Sequence, residues 1–97
     1  MHPGRLMLHL IEQQNPDILI DWDIRTVYFD DDELVLIVST MKRLVVTLNA
    51  RADDERFIIS LQELRGPKQE WVEIDKLEET PPHNMANGIV GLITTNR

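Results

Sequence analysis

Leu34-Val35-Leu36-Ile37-Val38 is the longest unbroken aliphatic run in the chain, and it constrains the fold more than any other stretch. A run this short, bounded by polar residues, suits a strand better than a helix. Strand side chains alternate between the two faces of a sheet. A strand that is apolar at every position is therefore expected inside the sheet, with cover on both faces. Glu33 to Ser39 is read as that strand. The whole chain has 97 residues, so residues 1–97 are read as a single domain.

Residues around this run supply further strands. Ile24 to Phe29 is rich in β-branched and aromatic residues. Arg43 to Asn49 alternates, with Leu44, Val46 and Leu48 on one face, and Arg56 to Leu64 alternates through Phe57, Ile59 and Leu61. The connections read as turns or polar loops: Asp30-Asp31-Asp32, Thr40-Met41-Lys42, Ala50 to Glu55, and Arg65-Gly66-Pro67-Lys68. Glu70 to Ile74 is read as a fifth strand, followed by a helical turn from Asp75 to Glu79. A helix from Pro67 to Glu79 is the rival reading, because Trp71, Ile74 and Leu77 also fit helical spacing.

The ends of the chain differ in texture. Leu6, Met7, Leu10, Ile11 and Gln14 follow helical spacing, which predicts a helix from Pro3 to Gln14. Proline suits the first turn, and Asn15-Pro16 stops the helix. Ile18-Leu19-Ile20 reads as a short strand or extended lead-in. Beyond Pro81-Pro82, Met85, Ala86, Ile89, Leu92 and Ile93 share a helical face, with Asn84 as N-cap. Gly88 and Gly91 weaken that helix by about 1 kcal/mol each, which keeps a terminal strand over Ile89 to Thr95 open. The expected class is α+β: an N-terminal helix, an antiparallel meander of four or five strands, and a C-terminal helix or strand packed on the sheet. With two apolar faces on the Leu34–Val38 strand, the two terminal segments are its expected covers.

Composition narrows the functions. There is no cysteine, which removes disulfides, thiolate metal sites and cysteine nucleophiles. The net charge is −7 and the pI near 4.8. Such a chain is repelled by nucleic acid phosphates and anionic lipid unless its cations cluster, and they do not. No segment approaches the roughly 20 apolar residues that span a bilayer. The apolar stretch at the N-terminus is broken by His9 and Glu12 with no small-residue cleavage site after it, so a cytoplasmic location is the expectation.

Acidic residues are the most conspicuous candidates. Asp30, Asp31, Asp32 and Glu33 stand consecutively, and Asp53, Asp54 and Glu55 repeat the theme. Consecutive residues at a strand end point in alternating directions, and an EF-hand loop needs acids at alternate positions with a central glycine. Neither group has ligand spacing, so no metal is expected. Asp21 and Asp23 share one face if the segment is extended, with Trp22 on the other. Paired carboxylates serve acid–base chemistry or metal binding, but no third ligand or nucleophile accompanies them. His2, His9 and His83 are scattered, and Ser39 and Ser60 lie on expected strands without a nucleophile-elbow context. Gly88-Ile89-Val90-Gly91 lacks the lysine of a phosphate loop. No catalytic residue and no cofactor is expected.

The remaining expectation joins topology to charge. In a meander, alternate connections emerge at the same end of the sheet. The first connection, Asp30 to Glu33, carries −4, and the third, Arg51 to Arg56, carries −1. The second carries +2 through Lys42 and Arg43, and the fourth +1 through Arg65, Lys68 and Glu70. One end should then be acidic and the other weakly basic. The chain reads as a small non-catalytic module that binds a protein with a basic surface, as an inhibitor or nucleic-acid mimic would. The partner-binding residues are then Asp30, Asp31, Asp32, Glu33, Asp53, Asp54 and Glu55. Two alternatives stand beside it: a structural or assembly subunit acting as a homo-oligomer, and a divalent-metal enzyme using aspartates. In shape and charge alone the chain is similar to small acidic secretion chaperones and phage-encoded inhibitors, a likeness that assigns no residue a role.

Overall fold

The computed structural model describes residues 3–24, 26–30, 33–48 and 56–96. Helix α1 runs over Pro3–Gln14, and a single turn, α2, over Ile18–Asp21. Five strands follow: β1 Thr26–Asp30, β2 Glu33–Ile37, β3 Lys42–Leu48, β4 Phe57–Arg65 and β5 Glu70–Thr80. A 3-10 turn, Pro82–Asn84, leads into α3, Met85–Thr95. All five strands form one sheet in the order β1-β2-β3-β4-β5, each neighbour antiparallel. The fold is α+β, an antiparallel meander between two terminal helices. No helix among the described residues is long and apolar enough to cross a membrane.

The register explains the core. One row runs Val27–Leu36–Leu44–Leu61–Asp75 across the five strands. Leu34, Leu36, Leu44, Val46, Ile59 and Leu61 are buried on the same face as this row, against Met7 and Ile11 of α1 and Met85, Ala86, Ile89 and Leu92 of α3. Both terminal helices therefore cover one face. The alternate row, Tyr28–Val35–Val45–Ser60, lies on the opposite face, over which no described helix is placed. This corrects the expectation of two covers. Val35 and Val45 are nonetheless buried, at 2% and 8% exposure.

Three local readings also change. Ile18-Leu19-Ile20 is the helical turn α2, not a strand. Asp17 O accepts from the N–H groups of Ile20 and Asp21, which buries Ile18 and leaves Ile20 80% exposed. Burying one side chain of three suits a turn better than an unpaired strand. The second change is in β5, which continues to Thr80, so neither a helical turn over Asp75 to Glu79 nor a helix over Pro67 to Glu79 forms. The nine-residue β4 offers a partner along its whole length, and β5 absorbs its extra residues in two register breaks, between Phe57/Ile59 and Leu61/Gln62. The β4–β5 turn uses two left-handed residues, Gly66 (φ 81), where glycine adopts that conformation freely, and Gln69 (φ 52).

The third change concerns how α3 is capped. The C-terminal segment is a helix and not a strand, but the Asn84 side chain makes no capping bond to its backbone. Asn84 Oδ1 instead accepts from Asn87 Nδ2. The first turn of α3 is served from α1: Ala86 N donates to Gln14 Oε1 at 2.9 Å, and Gln14 Nε2 donates to Pro82 O. At the other end, Asn96 Nδ2 donates to Leu92 O and to Asp75 Oδ2, and Lys42 Nζ donates to Asn96 O. A cation there complements the negative end of the helix.

Candidate partner-binding surface

The register assigns each connection to an end of the sheet. Asp30 pairs with Glu33 where β1 turns into β2, Glu33 pairs with Thr47, and Leu48 pairs with Phe57 where β3 leads toward β4. The β1–β2 and β3–β4 connections therefore leave the same end. Asp30 ends β1, and Glu33 opens β2 half-buried between its two neighbours. Asp31, Asp32, Asp53, Asp54 and Glu55 lie outside the described residues. Topology thus brings the ends of the two acidic segments together.

The opposite end holds the β2–β3 and β4–β5 connections and the cations Lys42, Arg43, Arg65 and Lys68. Summing charge over connections alone overlooks Glu63, which pairs with Lys42 in the ladder. Glu63 accepts a bond from Arg65 Nε at 2.7 Å and lies 3.9 Å from Lys42 Nζ. The hydrogen bond from Arg65 holds the Glu63 carboxyl below its usual value, assisted by the charges of Arg65 and Lys42. Arg43 turns to the helix-free face. Its guanidinium sits 4.4 Å from the Trp71 ring centre, and its Nε donates to Gln62 Oε1 at 2.7 Å. Lys42, Arg43 and Arg65 are held by neighbours, and the Glu63 carboxylate makes this end less basic than its cations alone suggest.

The β4–β5 half of the helix-free face is a polar network. Ser60 Oγ donates to Glu73 Oε1 at 2.8 Å, and Lys76 Nζ reaches Glu78 at 2.8 Å and Glu73 at 3.9 Å. The half built from β1, β2 and β3 is apolar along Tyr28, Val35 and Val45. Alternation in the sequence made that partition visible only once the strand register was known.

A cleft of about 310 Å³ at the cation-bearing end escaped the sequence reading. Trp22, Val38, Ser39, Lys42, Ile93 and Asn96 line it. They come from four separate segments, so no local pattern announces it. Its ammonium, Lys42, is already engaged by Asn96 O and Glu63. The Asp21–Asp23 pair does not survive as drawn. Asp21 ends α2, and Asp23 adopts a left-handed backbone at φ 53. The extended segment that would align the two carboxylates is not formed. His9 and His83 are exposed, and among the described residues no three His, Asp or Glu side chains gather as a metal-binding group.

No family model, no curated protein and no solved structure matches this chain.

Proposed function

We propose that the protein is a non-catalytic binding module whose acidic sheet end docks on a basic protein surface. The supporting observation is the strand register, which sends the Asp30–Glu33 connection and the 49–55 connection out of one end while Lys42, Arg43 and Arg65 are held by neighbours at the other. Separated charge of this kind orients a partner during encounter and acts mainly on association rate. The site comprises Asp30, Asp31, Asp32, Glu33, Asp53, Asp54 and Glu55.

A pull-down from native lysate at low and high ionic strength identifies the partner, since exposed charges are screened beyond about 10 Å at 0.1 M salt. The association rate of the purified pair is then measured with Asp31→Asn/Asp54→Asn. A several-fold slower rate at low salt with unchanged stability supports the acidic end as the docking site. An unaltered rate assigns those residues to solubility alone.

A further inference from the structure

The two edges of the sheet are built differently. The edge strand β5 carries Glu70, Glu73, Asp75, Lys76, Glu78 and Glu79 and contains both register breaks. Charge and irregularity are the standard protections of an open edge against pairing with another chain. Strand β1, the other edge, reads Thr-Val-Tyr-Phe-Asp. It has no lysine and no proline, pairs with β2 without a break, and carries its only charge at one end. Residues of this kind favour strands.

Its backbone is available for pairing. Asp30 and Glu33 close a two-residue connection, so that pair exchanges both ladder bonds, and by alternation so do Tyr28–Val35 and Thr26–Ile37. Val27 and Phe29 then turn their N–H and C=O groups away from β2. Among the described residues, no backbone hydrogen bond outside the ladder reaches β1.

We propose that two copies of this chain join through β1, antiparallel about a two-fold axis at Tyr28, to make one continuous sheet. In this register Val27 of each copy exchanges both bonds with Phe29 of the other. Tyr28 meets its own counterpart, where aromatic side chains directly opposite each other are favourable. Charge selects this partner and this direction. Parallel pairing sets the two Asp30 positions side by side, whereas antiparallel pairing puts each opposite a Thr26. The two Asp30 positions then lie about 14 Å apart along the seam, beyond the screening length of about 10 Å. Pairing β1 with β5 of a second copy sets it against the protected edge instead. The dimer leaves only β5 edges exposed, so assembly stops at two. This inference does not depend on the acidic-end reading.

The absence of cysteine gives a clean test. Tyr28 is 40% exposed, so Tyr28→Cys leaves the core intact. Opposed residues at such a position have Cα atoms about 4.5 Å apart, within the disulfide range of about 4.4–6.8 Å. Mild oxidation is expected to give a linked dimer from Tyr28→Cys and not from Met41→Cys or Leu48→Cys, which are exposed elsewhere. Sedimentation equilibrium of the unaltered chain is expected to show a dimer that tightens as salt rises, because two chains of charge −7 repel. Tyr28→Lys and Tyr28→Asp should each weaken it at least ten-fold, and an equal mixture of the two variants should restore it. A monomer at every concentration and salt overturns the proposal, as does equal crosslinking at all three positions. Failure of the mixed variants to recover refutes the register. Salt that loosens the dimer also counts against it, and partner binding at the acidic end would stand whatever the result here.

Discussion

Replacing the two glycines of α3 separately tests how that helix lies on the sheet. Gly91 is exposed, and a Cβ built there meets nothing within 4 Å. Gly91→Ala then changes only backbone freedom and helix propensity, and should stabilise by about 0.5–1 kcal/mol. In a domain of this size that raises the melting temperature by roughly 2–8 °C. Gly88 is buried, and a Cβ there would lie 3.1 Å from Leu77 Cδ1, 3.2 Å from Ile59 Cδ1 and 3.5 Å from Thr80 Cγ2. Carbon contacts are most favourable at about 3.5–4.0 Å, so two side chains must retreat by a few tenths of an ångström. Leu77 is 37% exposed and has room to swing outward, but Ile59 is fully buried. Overpacking of this kind costs about 1–3 kcal/mol, which cancels or exceeds the propensity gain. Gly88→Ala should therefore fall between neutral and about 2 kcal/mol destabilising. Urea unfolding followed by far-ultraviolet circular dichroism and by Trp22 and Trp71 fluorescence measures both variants. Equal stabilisation by the two substitutions would refute the close approach of α3 to β4 and β5. Destabilisation by Gly91→Ala would refute the helix itself.

Leu36→Ala and Ile37→Ala separate the two faces of β2. Leu36 is fully buried under the helices and should cost about 2–5 kcal/mol on truncation. Ile37 is half-buried on the helix-free face and should cost less than about 2 kcal/mol; equal losses in equilibrium denaturation would mean that this face is covered too. Gln14→Ala removes the acceptor for Ala86 N and the donor to Pro82 O, and should cost about 1–2 kcal/mol. A loss below about 0.3 kcal/mol in the same denaturation experiment would show that water replaces both bonds.

Local pattern alone determined the elements whose residues repeat with a clear period. The spacing of Met7 and Ile11, the alternation through Leu44 and Val46, and that through Phe57, Ile59 and Leu61 place α1, β3 and β4 to within a residue or two, because each segment has one face to bury. The order of the meander followed from short polar connections, and with it the placing of both acidic connections at one end. Partners distant in sequence decided the rest. Ile18-Leu19-Ile20 has strand-forming residues, but none of the described strands pairs with it, and it closes into a turn in which Ile18 is the buried residue. Asp75 to Glu79 is strand because the long β4 supplies ladder partners. Gln14 serves the first turn of α3 from 72 residues away, where sequence pointed to Asn84. The doubly apolar run Leu34–Val38 pointed to cover on both faces of the sheet, yet both helices lie on one. The choice fell to the packing of α1 against α3 over a single face, a contact between opposite ends of the chain that no local period records.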